Sequence, residues 1–181
     1  MKTVLLAISA ASLLAAQPAA APVGKIFDQQ LSMIEREFVP LAEAMPAEKF
    51  NFAPTAGEFK GVRTFSQQVS HAAAVIYAVS AAVLEEKNPS EMGKDENGPS
   101  TLKTKADVVQ YLKDAIAYGH MAMAKLTDAN LTDMVPSAFG PGKIARIFMA
   151  NVTIWHSFDH YGQAAVYLRM NGIVPPASRP R

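Results

Sequence analysis

Four long stretches of the chain place apolar residues at recurring three- and four-residue spacing, and clusters of Pro, Gly and small polar residues separate them. That spacing turns one side of an α-helix into a core-facing stripe. In the first stretch, about Lys25 to Met45, the stripe is Ile26, Phe27, Leu31, Ile34, Phe38, Leu41 and Met45. Pro40 lies inside it and predicts a kink or break near Val39, since proline supplies no backbone N–H and its ring crowds the preceding turn. The second stretch opens at Thr64, which forms a Thr-x-x-Gln capping box with Gln67, and runs to about Glu86. A cap-like pair, Thr104 and Asp107, opens the third, which reaches about Leu126. The fourth runs from about Lys143 to Asn171 and ends at Gly172, with Pro175 and Pro176 beyond it. No stretch alternates apolar and polar residues as a strand would, and no internal repeat is present. The expectation is an all-α chain folded as a four-helix bundle.

The connections are longer than the two to eight residues usual in bundles. The segment between the first two helices, "PAEKFNFAPTAGEFKGV", is rich in aromatics, so Phe50, Phe52 and Phe59 are expected to pack over one end of the bundle. The segment "KNPSEMGKDENGPST" reads as an exposed polar loop, and "TDANLTDMVPSAFGPGK" joins the last two helices.

Composition removes several function classes. Charged residues make up 18% of the chain and the formal net charge is +1, with no basic run, so there is no electrostatic footprint for nucleic acid. Cysteine is absent, which excludes disulfides, thiolate catalysis and Cys-ligated metals. A metal site would have to use His, Asp, Glu or water.

The N-terminal segment "MKTVLLAISAASLLAAQPAAAP" has an early cation, Lys2, then an apolar run from Val4 to Ala16, then small residues. This is the outline of a secretory signal peptide over residues 1–22, with cleavage between about Ala16 and Gly24. The apolar run is shorter than the roughly 20 residues of a spanning helix, so no stable membrane anchor is expected. A single domain then occupies residues 23–181, exported to the periplasm or secreted. The alternative for the segment is a buried N-terminal helix.

Two of the four histidines fall in "IWHSFDHYGQ", residues 154–163. Positions four apart share a helix face with Cβ atoms about 6 Å apart, so His156 and His160 point the same way. Two imidazoles so placed can hold one Zn²⁺-like ion at about 2.0–2.1 Å each. Ser157 follows the first histidine where a zincin requires Glu as general base, which removes that protease class. Paired Glu-x-x-His motifs of di-iron bundles are missing as well. Gln163 and Tyr167, close to the same stripe, are candidates for orienting a ligand. A third metal ligand must come from another helix, and spacing alone leaves both His71 and His120 open.

The stretches "AMPAEKFNFAPTAGEFKGVRTFSQQVSHAA" (44–73) and "FMANVTIWHSFDHYGQAAVYLRMNGIVPP" (148–176) resemble the DinB / YfiT-like family over nearly all of the mature chain. In that family a Pro-x-Glu-x-aromatic stretch and a Pro-containing loop lead to a helix with one histidine, and a last helix carries His-x-x-x-His. The resemblance implies a four-helix bundle with a divalent metal, Zn or Ni, on His71, His156 and His160. His120 matches no ligand and is then structural or exposed. Activities among relatives include thiol-dependent transfer, isomerisation and hydrolysis. The implied function is a metal-dependent hydrolase or transferase acting on a small molecule. The alternatives are a non-catalytic metal- or ligand-binding bundle and a helical interaction protein whose histidines are core. A homodimer is compatible with a bundle of this size.

Overall fold

A computed structural model describes residues 21–180, so the signal-peptide reading of the N-terminus falls almost wholly outside the described residues. Four long helices form: α1 (Val23–Ala44), α2 (Phe65–Leu84), α3 (Lys105–Ala124) and α4 (Arg146–Met170). Both predicted capping boxes are present. Thr64 Oγ1 accepts from the Gln67 amide while Gln67 Oε1 accepts from the Thr64 amide, and Thr104 and Asp107 make the same reciprocal pair. Each box supplies partners to amides that the first helical turn leaves free. Gly172 adopts φ +75°, as its position beyond the last turn requires.

The structure differs from the expectations in three places. The first helix continues through Pro40 to Ala44 without a break. The carbonyl deprived of a partner belongs to Arg36, which is exposed, so water can satisfy it. A short antiparallel hairpin, β1 (Met134–Pro136) with β2 (Lys143–Ala145), pairs Val135 with Ile144 immediately before α4. Residues 143–145 are taken up in that pairing, so α4 starts at Arg146 rather than Lys143, and strands of three residues are too short to display alternation. Finally, Phe50 packs edge-on against Phe65 and Phe52 against Tyr167, whereas Phe59 stays on the surface.

α1 and α2 occupy opposite corners of the bundle, each packed against both α3 and α4. Side-chain partners set the directions. Asp28 meets His120 and Glu43 meets Lys113, so α1 and α3 are antiparallel. Gln68 meets His160, while Arg146 at the start of α4 reaches Val83 at the end of α2, so α2 and α4 are antiparallel. Tyr77 stacks near Tyr111 and Tyr118, and Gly119 lies against Ile76 and Ser80; these pairs advance together, so α2 and α3 are parallel. The connection 85–104 must therefore return along α2, a helix of 20 residues and about 30 Å.

This return path explains an unusual helix. α2 carries no charged residue, and most of its length is buried, including His71 and Gln68. It is long and apolar enough to cross a membrane by length and composition, yet 83% of that window is buried inside the fold. α3, α4, the crossover and the hairpin share the covering. Phe38, Phe65, Ile76, Leu112, Ile116, Met149 and Leu168 fill the centre of the bundle. Close approach is possible because small residues stand at the crossings: a Cβ on Gly24 would lie 2.7 Å from the carbonyl oxygens of Met123 and Leu126.

The end of the bundle away from the histidines is held by Arg146, only 4% exposed. Its guanidinium donates to the Val83 carbonyl and to Glu85 Oε2 at 2.7 Å. Replacing Arg146 by Met strands that buried carbonyl, and a loss of about 1–3 kcal/mol is expected in urea unfolding. The exposed Lys113–Glu43 pair, although closer at 2.6 Å, should contribute under about 1 kcal/mol when Lys113 is replaced by Met.

Candidate metal centre

The antiparallel packing of α2 on α4 brings His71 opposite His156 and His160. The three rings form a compact triangle, with centroids 4.4 to 5.0 Å apart. One ring nitrogen from each histidine lies within 4.8 Å of the others, and Nε2 of His156 is 3.2 Å from Nε2 of His160. Nitrogens bound tetrahedrally at about 2.05 Å to one ion are about 3.3 Å apart. The observed spacing therefore fits a shared cation without rearrangement of α4. Three imidazoles with no thiolate suit a divalent transition-metal ion.

The outward nitrogens define the tautomers. His71 Nδ1 is 2.9 Å from the Glu96 carbonyl oxygen, which can only accept, so Nδ1 carries the proton and Nε2 is the free lone pair. His160 Nδ1 lies 2.5 Å from Gln68 Oε1 and is likewise the donor. Acceptors of this kind behind ligating histidines fix ring orientation and raise basicity. His156 differs: its Nδ1 is buried with no hydrogen-bond partner among the described residues. Two Nε2 lone pairs facing each other at 3.2 Å repel unless one is protonated or a cation lies between them.

Burial governs the protonation of the set. Desolvation lowers the His71 pKa, and it pushes His156 down to about 4 and His160 to about 3, with repulsion among neighbouring imidazolium forms adding to it. Arg63, at the mouth of α2, acts on all three in the same direction. The histidines are thus held neutral, the form in which imidazole binds metal.

Gln163 and Tyr167 direct their hydrogen bonds to groups other than the imidazoles. Gln163 is exposed; its Oε1 accepts from Gln68 and its Nε2 donates to Asp159. Tyr167 donates to the Arg63 carbonyl and packs on Phe52. His120 lies between α3 and α1, bonded to Asp28 at 2.5 Å with Glu35 at 3.5 Å, outside the triangle. Three contributors were not singled out from the sequence. Gln68 sits one turn before His71 and shares its face, a signal that i, i+3 spacing could have supplied. Glu96 acts through its backbone carbonyl, and Arg63 pins the crossover by bonds to Asn97 Oδ1 and the Asp95 carbonyl. Neither leaves a trace in composition or period. Two cavities of about 280 and 300 Å³ flank this crossover and share Gln67 and Asn97; the histidines line neither.

A four-helix bundle with three histidines converging from two antiparallel helices is the class that fold and centre define. The DinB superfamily family model matches residues 30–164, and the chain belongs to that superfamily. The solved structure of a DinB-like protein from Bacillus cereus is similar in fold, with a TM-score of 0.63 at 18% identity over 84% of this chain and 95% of that one. No curated protein matches the chain.

The lowered pKa values set the acid response of the metal-free protein. Between the unfolded value of 6.5 and folded values of about 3 to 4, the unfolded chain binds protons that the folded one excludes. Stability then rises with pH across that window. The midpoint of thermal unfolding should fall steadily as pH drops from about 7 to about 4, and replacing His160 by Gln should flatten that dependence.

Proposed function

We propose that this chain is an exported DinB-superfamily protein that holds one divalent ion, zinc or nickel, on His71, His156 and His160 and acts on a small molecule as a metal-dependent hydrolase or transferase. The observation that carries the reading is the convergence of three neutral imidazoles, two of them with their proton held on the outward nitrogen. Three protein ligands leave a coordination position open, the arrangement of catalytic rather than closed structural sites. A bound ion would supply Lewis acidity and lower the pKa of a water or thiol it coordinates. The chain's own residues orient the imidazoles, keep them neutral and bring the Arg63 guanidinium close, where it favours a substrate carrying negative charge. Export rests on the leader outline of residues 1–22.

One observation favours a non-catalytic metal- or ligand-binding role instead. The carboxylates near the centre are turned away from the ligand nitrogens: Asp159 bonds Gln163, and Glu96 Oε2 is 3.9 Å from the outward nitrogen of His71.

Elemental analysis of mature protein from its native compartment tests the reading. Close to one equivalent of metal is expected, with His156→Ala and His71→Ala each losing most of it. Stoichiometric metal in His156→Ala overturns the ligand assignment. Chelation separates the two roles: a folded, inactive apoprotein favours catalysis, and a large drop in thermal midpoint with no activity to lose favours the binding role. N-terminal sequencing of the mature chain should place its first residue between about 17 and 25 if the leader is cleaved.

A further inference from the structure

We infer that Asp159 is a positioning residue that dictates which nitrogen of His160 carries the proton, through a relay of two glutamine amides. The inference rests on the metal reading of the centre above. The relay runs Asp159 Oδ2 to Gln163 Nε2 at 3.1 Å, Gln163 Oε1 to Gln68 Nε2 at 2.9 Å, and Gln68 Oε1 to His160 Nδ1 at 2.5 Å.

Each link has a direction, and the carboxylate sets it. An ionised carboxylate only accepts, so Gln163 must turn its NH₂ towards Asp159 and its oxygen towards Gln68. Gln68 must then present its NH₂ to Gln163 and its oxygen to His160. Facing an acceptor, His160 places its proton on Nδ1 and leaves the Nε2 lone pair aimed at His71 and His156. Run backwards, the same three bonds would put an NH₂ against Nδ1 and move the proton to Nε2, where it blocks a metal. Gln68 is 2% exposed, so no solvent stands in for either partner of its amide. His71 needs no such device, because a backbone carbonyl cannot reverse.

The relay predicts effects that loss of packing would not produce, since Asp159 and Gln163 are both exposed. The experiment combines ¹⁵N NMR of the imidazole nitrogens in metal-free protein with zinc titration of the same samples. Wild type should show His160 protonated on Nδ1. Asp159→Asn, whose side chain can donate to Gln163, should show a share of the Nε2-protonated form and about tenfold weaker zinc binding. Adding Gln163→Glu to that variant places an acceptor-only group directly on Gln68. It should return both the tautomer and the zinc affinity to near wild type. His160 remaining wholly protonated on Nδ1 in Asp159→Asn, or no recovery in the double variant, overturns the relay. A proton that moves as expected in a protein that binds no zinc upholds the relay and removes the metal reading. Tight zinc binding with an unmoved proton does the reverse.

Discussion

The antiparallel contact between α2 and α4 is the interaction on which the rest depends. Its register is pinned at several points along its length. Arg146 holds the Val83 carbonyl at one end, and Tyr167 holds the Arg63 carbonyl at the other. Between them Gln68 meets His160, and the imidazoles meet each other. A slip by one helical turn would move each histidine about 5.4 Å along the axis and part the three nitrogens. The contact between α2 and α4 therefore sets the geometry of the centre.

The second constraint is the parallel course of α2 and α3. It obliges residues 85–104 to return along the bundle, and this passage delivers a backbone carbonyl to His71. Asp95 and Glu96 adopt φ of +54° and +59°, a region costly for residues with a Cβ. Arg63 holds the segment in place through Asn97 and the Asp95 carbonyl, and Gly93 lies so close to the Gly98 carbonyl that a Cβ there would collide. Backbone strain beside the candidate ligands is the usual place for it to be tolerated. A segment that reads as polar loop thus forms one wall of the centre.

Much of the architecture was legible because it follows from local rules. Apolar period and two capping boxes marked the helices, and the four-residue spacing of His156 and His160 placed them on one face. The choice of His71 over His120 came from the family resemblance; the structure puts His71 in the triangle and His120 on Asp28. What stayed hidden depends on distant parts of the chain meeting. The hairpin at 134–145 is too short for a periodic signal, and Pro40 is tolerated because of where Arg36 faces. Gln68 looks like an ordinary polar residue until α4 packs against it. The direction of α3 relative to α2 is a tertiary fact that no segment encodes by itself.

The parallel pair also bears on how the chain folds. An up-and-down bundle can assemble as successive hairpins of neighbouring helices, each closing a short loop. Here no consecutive helices form such a hairpin: α1 and α2 are diagonal, α2 and α3 run the same way, and α3 and α4 are diagonal. Every helix must find a partner that is distant in sequence or across a long connection, which raises contact order and slows folding relative to simpler bundles. The three histidines meet only when α4, the last helix made, docks on α2. Metal capture would then report completion of the whole fold rather than formation of a part, and a chain crossing a membrane before folding would reach that state only on the far side.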